Sequence, residues 1–226
     1  KPLHQLAGKP LIRHVWERCS LCRRLDDLLV ATDDERIRAA AEDFGARVAM
    51  TSPDHPSGTD RIAEAIAADP AATHVVNIQG DEPLIEGFVI DACAEALLAD
   101  PDAPMATCVH RLDPADAADP NRVKVVLDQS GRALYFSRAA IPFARDATPD
   151  PLWQHIGLYA YRRSFLEVLG QLAPTPAEQA EQLEQLRVLE HGYPIRCAII
   201  EGWHSVPVDV PDDVTQVEAR LGRTPR

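Results

Sequence analysis

Thr73-His74-Val75-Val76-Asn77-Ile78-Gln79-Gly80-Asp81-Glu82-Pro83 is the stretch that decides the fold. A short β-branched run ends in Gly, two acids and Pro. That pattern reads as a buried strand over residues 75–78 that breaks off at a sheet edge. In open α/β sheets, ligands collect beyond the carboxyl ends of the strands. Asp81 is placed there, on a rigid element, and a carboxylate in that position suits a hard divalent cation that also holds phosphates.

Strands and helices alternate on either side of this stretch. Upstream, Leu11, Ile12, Val15, Trp16 and Cys19 recur at helical spacing, so a helix runs from Pro10 to about Arg23 with Pro in its first turn. Residues 28–32 read as a strand. Asp33 or Asp34 then caps a helix with Ile37, Ala40, Ala41 and Phe44 on its inner face, and Gly45 stops it. Residues 47–50 are a second strand, and residues 57–68 a helix with Ile62 and Ile66 inward. Downstream, residues 87–99 read as a helix and residues 103–109 as a strand.

The pattern then changes. Residues 123–127 and 133–136 flank Asp128-Gln129-Ser130-Gly131, the signature of a hairpin with a Gly-containing turn. A Pro- and Asp-rich loop follows over 142–151. Residues 156–161 are a strand, 164–172 a helix, 178–191 a second helix, 196–200 a strand and 212–221 a last helix. An α/β order followed by hairpins implies a doubly wound, mostly parallel mixed sheet with an antiparallel insertion at about 113–162.

At 226 residues, the sequence suits one large α/β domain. A net charge of -12 and the lack of any basic stripe argue against a nucleic-acid partner. No apolar run approaches a membrane span and no charged-then-apolar leader opens the sequence, so the expectation is a cytoplasmic protein with no membrane partner. Its five cysteines are an odd number in a chain too large to need a disulfide scaffold, and they fit reduced thiols. Cys19-Ser20-Leu21-Cys22 has no second Cys/His pair at zinc spacing and does not open a helix, so packing is its expected role.

Six fragments carry a family resemblance. They are Gln79-Gly80-Asp81-Glu82-Pro83, Lys124-Val125-Val126, Leu134-Tyr135-Phe136-Ser137-Arg138, His155-Ile156-Gly157-Leu158-Tyr159, Leu183-Glu184-Gln185-Leu186-Arg187 and Val208-Asp209-Val210-Pro211. In this order they closely resemble the 3-deoxy-manno-octulosonate cytidylyltransferases, also called CMP-KDO synthetases, over nearly the whole sequence. The resemblance implies a Rossmann-like nucleotide-diphospho-sugar transferase fold in a single domain over 1–226, a homodimer and dependence on Mg²⁺. It implies CTP and KDO as substrates, with CMP-KDO and pyrophosphate as products, a step toward lipopolysaccharide.

Such a transfer needs positioning and charge neutralisation more than covalent help. By resemblance, Asp81 and Asp209 are the metal ligands, a count that agrees with magnesium's preference for one or two carboxylates plus substrate oxygens. Both are also residue types common in turns and caps. Lys1 matches a phosphate-contacting lysine. On the cytidine side, Ala31-Thr32-Asp33 and Ser57-Gly58-Thr59-Asp60-Arg61 are the candidates. The N–H groups at Ser57, Gly58 and Thr59 open a helix and can meet polar acceptors, or Ser57 and Thr59 merely cap. Arg61 either reaches the base or anchors the loop, and Gln79 is placed near the metal.

The sugar acid would be met by Arg138, His155, Tyr159, Glu184 and Gln185. A guanidinium suits a carboxylate, and the other four can bridge hydroxyls. Glu184 and Gln185 fall mid-helix in this reading and equally fit a solvated face. Lys124 is expected to meet the nucleotide or the sugar. The family pattern also has a strand and a phosphate-wrapping loop ahead of Lys1-Pro2-Leu3, so residues upstream of Lys1 are expected in the natural protein. Two other readings stand beside this one. One is a cytidylyltransferase for 8-amino-KDO or sialic acid, and the other a catalytically silent nucleotide-sugar binding protein.

Overall fold

A computed structural model describes residues 1–55, 57–146, 151–204 and 211–221. They form two compact units. The first comprises Lys1–Ala71, Ile78–Asp91 and His204–Arg226, and the second Ala72–Asn77 and Ala92–Trp203.

The first unit opens with a small antiparallel hairpin, β1 (Gln5–Leu6) and β2 (Lys9–Pro10). Its two turn residues, Ala7 and Gly8, both have positive φ, the requirement of the tight turn that matches strand twist. Gly8, just ahead of the expected helix start at Pro10, takes the αL conformation the turn demands. The helix itself, α1 (Leu11–Cys19), ends short of Arg23 and buries Leu11, His14, Val15 and Cys19.

β3 (Leu29–Thr32) and β4 (Arg47–Met50) pair in parallel, joined by α2 (Glu35–Asp43). Asp34 caps α2 by accepting the Arg36 N–H, and Gly45 takes φ +87° just beyond it. Only Ala41 of the expected inner face is fully buried; Ile37, Ala40 and Phe44 are half-buried. Ser57 caps α3 (Gly58–Ala67), and α8 (Pro211–Leu221) returns to the hairpin, where Glu218 accepts the Ala7 N–H at 3.0 Å.

α4 (Gly87–Ala99) leads from the first unit into the second and buries Val89, Ile90, Cys93 and Leu97. The second unit holds a six-stranded mixed sheet. Its strands are β5 (His74–Asn77), β6 (Met105–Leu112), β7 (Lys124–Leu127), β8 (Ala133–Ser137), β9 (Leu152–Arg162) and β10 (Ile195–Ile200). They lie in the order β10-β6-β9-β7-β8, with β5 also on β9. β6 and β10 run parallel, whereas β9 runs against β5, β6 and β7. The antiparallel share therefore exceeds what the α/β alternation suggests, because one long strand from the insertion enters the centre of the sheet. β6 is flanked on both sides, and all its residues but Arg111 are buried, the polar Thr107 and His110 among them.

Residues 178–191 do not form one helix. α5 (Arg163–Leu169) is followed by α6 (Pro176–Glu181) and α7 (Gln185–Glu190), broken at Gln182, which sits at φ +53°. A capping box between Thr175 and Glu178 starts α6. The break sends Leu183, Gln185 and Leu186 into the core together, which a continuous helix through an exposed Gln182 would not do.

All five cysteines are free thiols. Cys19 is the last residue of α1 and Cys22 lies beyond it. Burial above all pushes both up to about 12, so neither is a thiolate near neutrality. The packing role expected for this pair fits that state.

Candidate active site

In the first unit the candidates gather at the carboxyl ends of β3 and β4 and after residue 78. Arg61 reaches from α3 to both strand ends. It donates from one guanidinium nitrogen to Thr51 Oγ1 at 2.6 Å and from the other to Asp33 Oδ2 at 3.0 Å. Thr51 N–H in turn donates to Thr32 O, and Thr32 Oγ1 accepts the Asp34 N–H. Of the two roles open to Arg61, the structure thus shows the anchoring one. Ser57 likewise caps: its Oγ accepts Asp60 N–H at 3.2 Å and donates to Asp60 Oδ2 at 2.8 Å. Gly58 follows with open space around its Cα, leaving the helix start approachable.

Lys1 Nζ donates to Asp81 Oδ2 at 2.9 Å, with both side chains about a third exposed. The structure therefore brings the expected phosphate-contacting lysine onto the expected metal-binding carboxylate. Gly80 packs tightly beside them, since a Cβ there would lie 3.3 Å from Ile12 Cδ1. Gln79 is exposed. Asp209 lies outside the described residues. Among those described, no three His, Cys, Asp and Glu side chains come together as a metal cage. The donor in hand is one hard carboxylate oxygen, which suits an ion that takes its remaining ligands from phosphates and water.

The second unit brings together Tyr159, Glu184 and Gln185. The break between α6 and α7 places Glu184 at the cap of α7 and Gln185 in its first turn, not mid-helix. Gln185 is buried, and its Oε1 accepts the Tyr159 hydroxyl at 3.2 Å. Its Nε2 has no hydrogen-bond partner. A small cavity beside it, lined by Met105, Tyr159, Glu184, Gln185 and Val188 among others, has room for about one water-sized group. An amide left unsatisfied in a buried place is costly, and one water-sized polar group in this cavity would relieve it. Burial holds the Tyr159 phenol well above its ordinary range, so it remains a donor.

His155 donates or accepts at Thr107 Oγ1, 2.9 Å from its Nε2. Its ring packs on Phe136 and Tyr159, with centroids 5.2 and 5.4 Å away. Although part of the residue meets solvent, burial of the ring pushes its pKa down to about 3, so His155 is a neutral hydrogen-bonding group and not a general acid near pH 7.

Arg138 lies at the end of β8. It donates from Nε to Glu181 O at 2.8 Å, from one terminal nitrogen to Pro120 O at 3.1 Å and from the other to Gln182 O at 3.4 Å. These include carbonyls freed where α6 ends, so the guanidinium caps that helix. These three bonds leave two of its five N–H donors, and capacity for a carboxylate is kept.

Lys124 is placed behind these residues, not among them. It is wholly buried and donates to Asp119 O at 2.8 Å and Arg138 O at 2.6 Å. Direct contact with nucleotide or sugar, as expected from sequence, does not fit that burial. Its job is to hold the Arg138 main chain. Glu181 and Thr107 were not among the sequence candidates. Glu181 accepts Ser137 Oγ–H at 2.5 Å and Arg138 N–H at 2.8 Å. Neither carries a sequence signal, because each acts on residues more than forty positions away in the chain.

A family profile described as cytidylyltransferase matches residues 1–197. The chain is 51% identical to a 3-deoxy-manno-octulosonate cytidylyltransferase of Myxococcus xanthus, over 98% of this chain and 89% of that one. It is 48% identical to an 8-amino-3,8-dideoxy-manno-octulosonate cytidylyltransferase of Shewanella pealeana, over 98% of this chain and 91% of that protein. Its structure aligns with a CMP:2-keto-3-deoxy-manno-octonic acid synthetase complexed with CTP. The TM-score is 0.93 at 40% identity, covering 99% of this chain and 92% of the other.

Proposed function

The chain belongs to the cytidylyltransferase family, and we propose that it transfers CMP from CTP to the anomeric hydroxyl of KDO, giving CMP-KDO and pyrophosphate for lipopolysaccharide synthesis. The observation that carries the sugar half of this reading is the meeting of Tyr159, Glu184 and Gln185, all expected sugar contacts, around one cavity. These three groups offer donors and an acceptor to a polyhydroxylated acid, with His155 and Arg138 as further contacts.

The nucleotide half rests on the first unit. Lys1 supplies positive charge to the phosphates, and the start of α3 at Ser57 and Gly58 presents N–H groups to polar acceptors. Arg61 keeps that platform rigid by tying Asp33 to Thr51. Gln79 is assigned to ligands near Asp81. The sugar hydroxyl attacks the α-phosphate in line while pyrophosphate leaves, a displacement governed by orientation and charge.

Asp81, together with Asp209, would hold Mg²⁺. When bound, the ion neutralises charge on the phosphates and lowers the pKa of a coordinated hydroxyl. We further read the chain as a single nucleotidyltransferase domain that works in the cytoplasm as a homodimer, with the insertion at 113–162 in the dimer contact. No helix among the described residues is long and apolar enough to cross a membrane.

Pyrophosphate release by the full-length protein tests the reading. CTP with KDO should support it far better than CTP with sialic acid. A preference for 8-amino-KDO would favour the second reading, which the similarity to the Shewanella enzyme keeps in play. No release with any sugar acid would leave only a silent binding protein.

A further inference from the structure

β9 does not run evenly along β6. Thr107 faces Tyr159, yet its neighbour Cys108 faces Ile156, so Gly157 and Leu158 are extra residues in a bulge. An even number of extra residues preserves the alternation of faces. Thr107, His155 and Tyr159 therefore remain on one side of the sheet. The bulge also shortens the strand. Two side chains four residues apart would stand roughly 13 Å apart on a regular strand. Here the rings of His155 and Tyr159 are in contact, with centroids 5.4 Å apart.

A bulge leaves main-chain carbonyls without ladder partners, and a buried carbonyl needs a donor. Thr107 is fully buried, and its Oγ1 lies 2.8 Å from Leu158 O and 3.2 Å from Ile156 O. A hydroxyl has a single proton to give. With that proton on the nearer carbonyl, the bond of 2.9 Å to His155 requires Nε2 to be the donor. The lone pair of the imidazole is then on Nδ1.

We propose that Thr107 is a positioning residue for sugar-acid binding: it pins the β9 bulge and fixes His155 as the Nε2–H tautomer, so that Nδ1 is an acceptor for a sugar hydroxyl. This inference rests on the reading of His155 as a sugar contact. Thr107 itself touches no substrate. It acts by bringing the His155 and Tyr159 rings together and by setting which imidazole nitrogen carries the proton.

Long-range ¹H–¹⁵N spectra of the histidine rings, recorded on wild type, Thr107→Val and Thr107→Ser, test it alongside steady-state kinetics. Wild type should show His155 with its proton on Nε2, and Thr107→Ser should keep both that tautomer and a sugar KM within about twofold of wild type. Thr107→Val keeps the shape and removes the hydroxyl. It should lose the single tautomer and raise the sugar KM about tenfold, the scale of one lost hydrogen bond, with the CTP KM unchanged. A wild-type ring protonated on Nδ1 overturns the proposal, and that result does not depend on whether Thr107→Val folds. A tautomer that persists in Thr107→Val overturns it as well. If the tautomer changes while the sugar KM stays put, the hold of Thr107 on His155 stands, and the assignment of His155 to the sugar is what fails.

Discussion

Arg138 and Glu181 hold each other in both directions: the Arg138 main-chain N–H donates to the Glu181 carboxylate, and the Arg138 Nε–H donates to the Glu181 main-chain carbonyl, each at 2.8 Å. The pair joins the end of β8 to the end of α6. It therefore sets where the chain turns at Gln182 and where Glu184 and Gln185 come to lie. A residue expected to meet a carboxylate is also the cap of the helix that precedes its neighbours.

That double use sets the expected behaviour of Arg138 variants. Arg138→Ala removes three bonds to carbonyls and should cost about 1–3 kcal/mol of stability. It should raise the sugar KM by more than about tenfold and leave the CTP KM near wild type. Arg138→Lys keeps the charge and loses the fork, so it should restore little of either. Urea unfolding and steady-state kinetics check the two effects separately. An unchanged sugar KM in Arg138→Ala would remove it from the sugar site.

Gln185 predicts a different pairing of effects. Its Nε2 is buried without a partner, a standing cost to the unliganded fold. Gln185→Leu removes that cost at similar volume but also removes the acceptor of the Tyr159 hydroxyl, so the two offset and stability should stay within about 1 kcal/mol of wild type. Sugar binding should weaken at least tenfold in the same variant. Unchanged stability with impaired KM for the sugar acid is the signature of an amide kept for its ligand. Loss of stability without a change in KM would mark Gln185 as a structural residue.

How much of this was legible in the sequence follows from how local each feature is. The α2 cap at Asp34, the stop at Gly45 and the hairpin turn at Gly131 rest on neighbouring residues, and each is found where expected. The helix at Gly87–Ala99 agrees to the residue with the apolar run that predicts it. The break at Gln182 was not legible, because residues 178–191 carry a continuous helical pattern. What breaks it is Arg138, more than forty positions away, taking the freed carbonyls. Lys124 misled for the same reason. A lysine beside candidate residues suggests an anion, whereas its real partners are the main-chain carbonyls of Asp119 and Arg138. Ser57 and Arg61 were readable as types, and only their partners decided between capping or anchoring and ligand contact.

His155 gives a pH prediction with a definite sign. Its folded pKa is depressed to about 3, below its unfolded value near 6.5, so the unfolded chain binds more protons between these limits. This contribution is fully present above pH 6.5 and is lost as pH falls toward 3, by up to about tenfold in the folding constant per unit. His155→Gln should flatten that slope by close to one proton, measured as urea midpoints from pH 7 to pH 4. The same depressed value means that His155 contributes no acid limb to the rate profile near neutrality. Equal slopes in wild type and variant would show that the ring charges freely in the fold.

Asp81 gives the sharpest separation of stability from chemistry. Its pairing with Lys1 is about a third exposed on both sides, and exposed pairs contribute only about 0–1 kcal/mol. Asp81→Asn keeps the shape and a hydrogen-bond acceptor for Lys1, so the urea midpoint should barely move. Turnover should fall by about a hundredfold or more, the scale of losing one charged stabiliser from a phosphoryl-transfer site. Lys1→Met should weaken CTP binding and leave the sugar KM unchanged, because its charge serves the phosphates. Pyrophosphate release at saturating CTP and KDO reads the first effect, and the CTP KM the second. Wild-type turnover in Asp81→Asn would strip the carboxylate of its metal role and leave it as the partner that holds Lys1 in place.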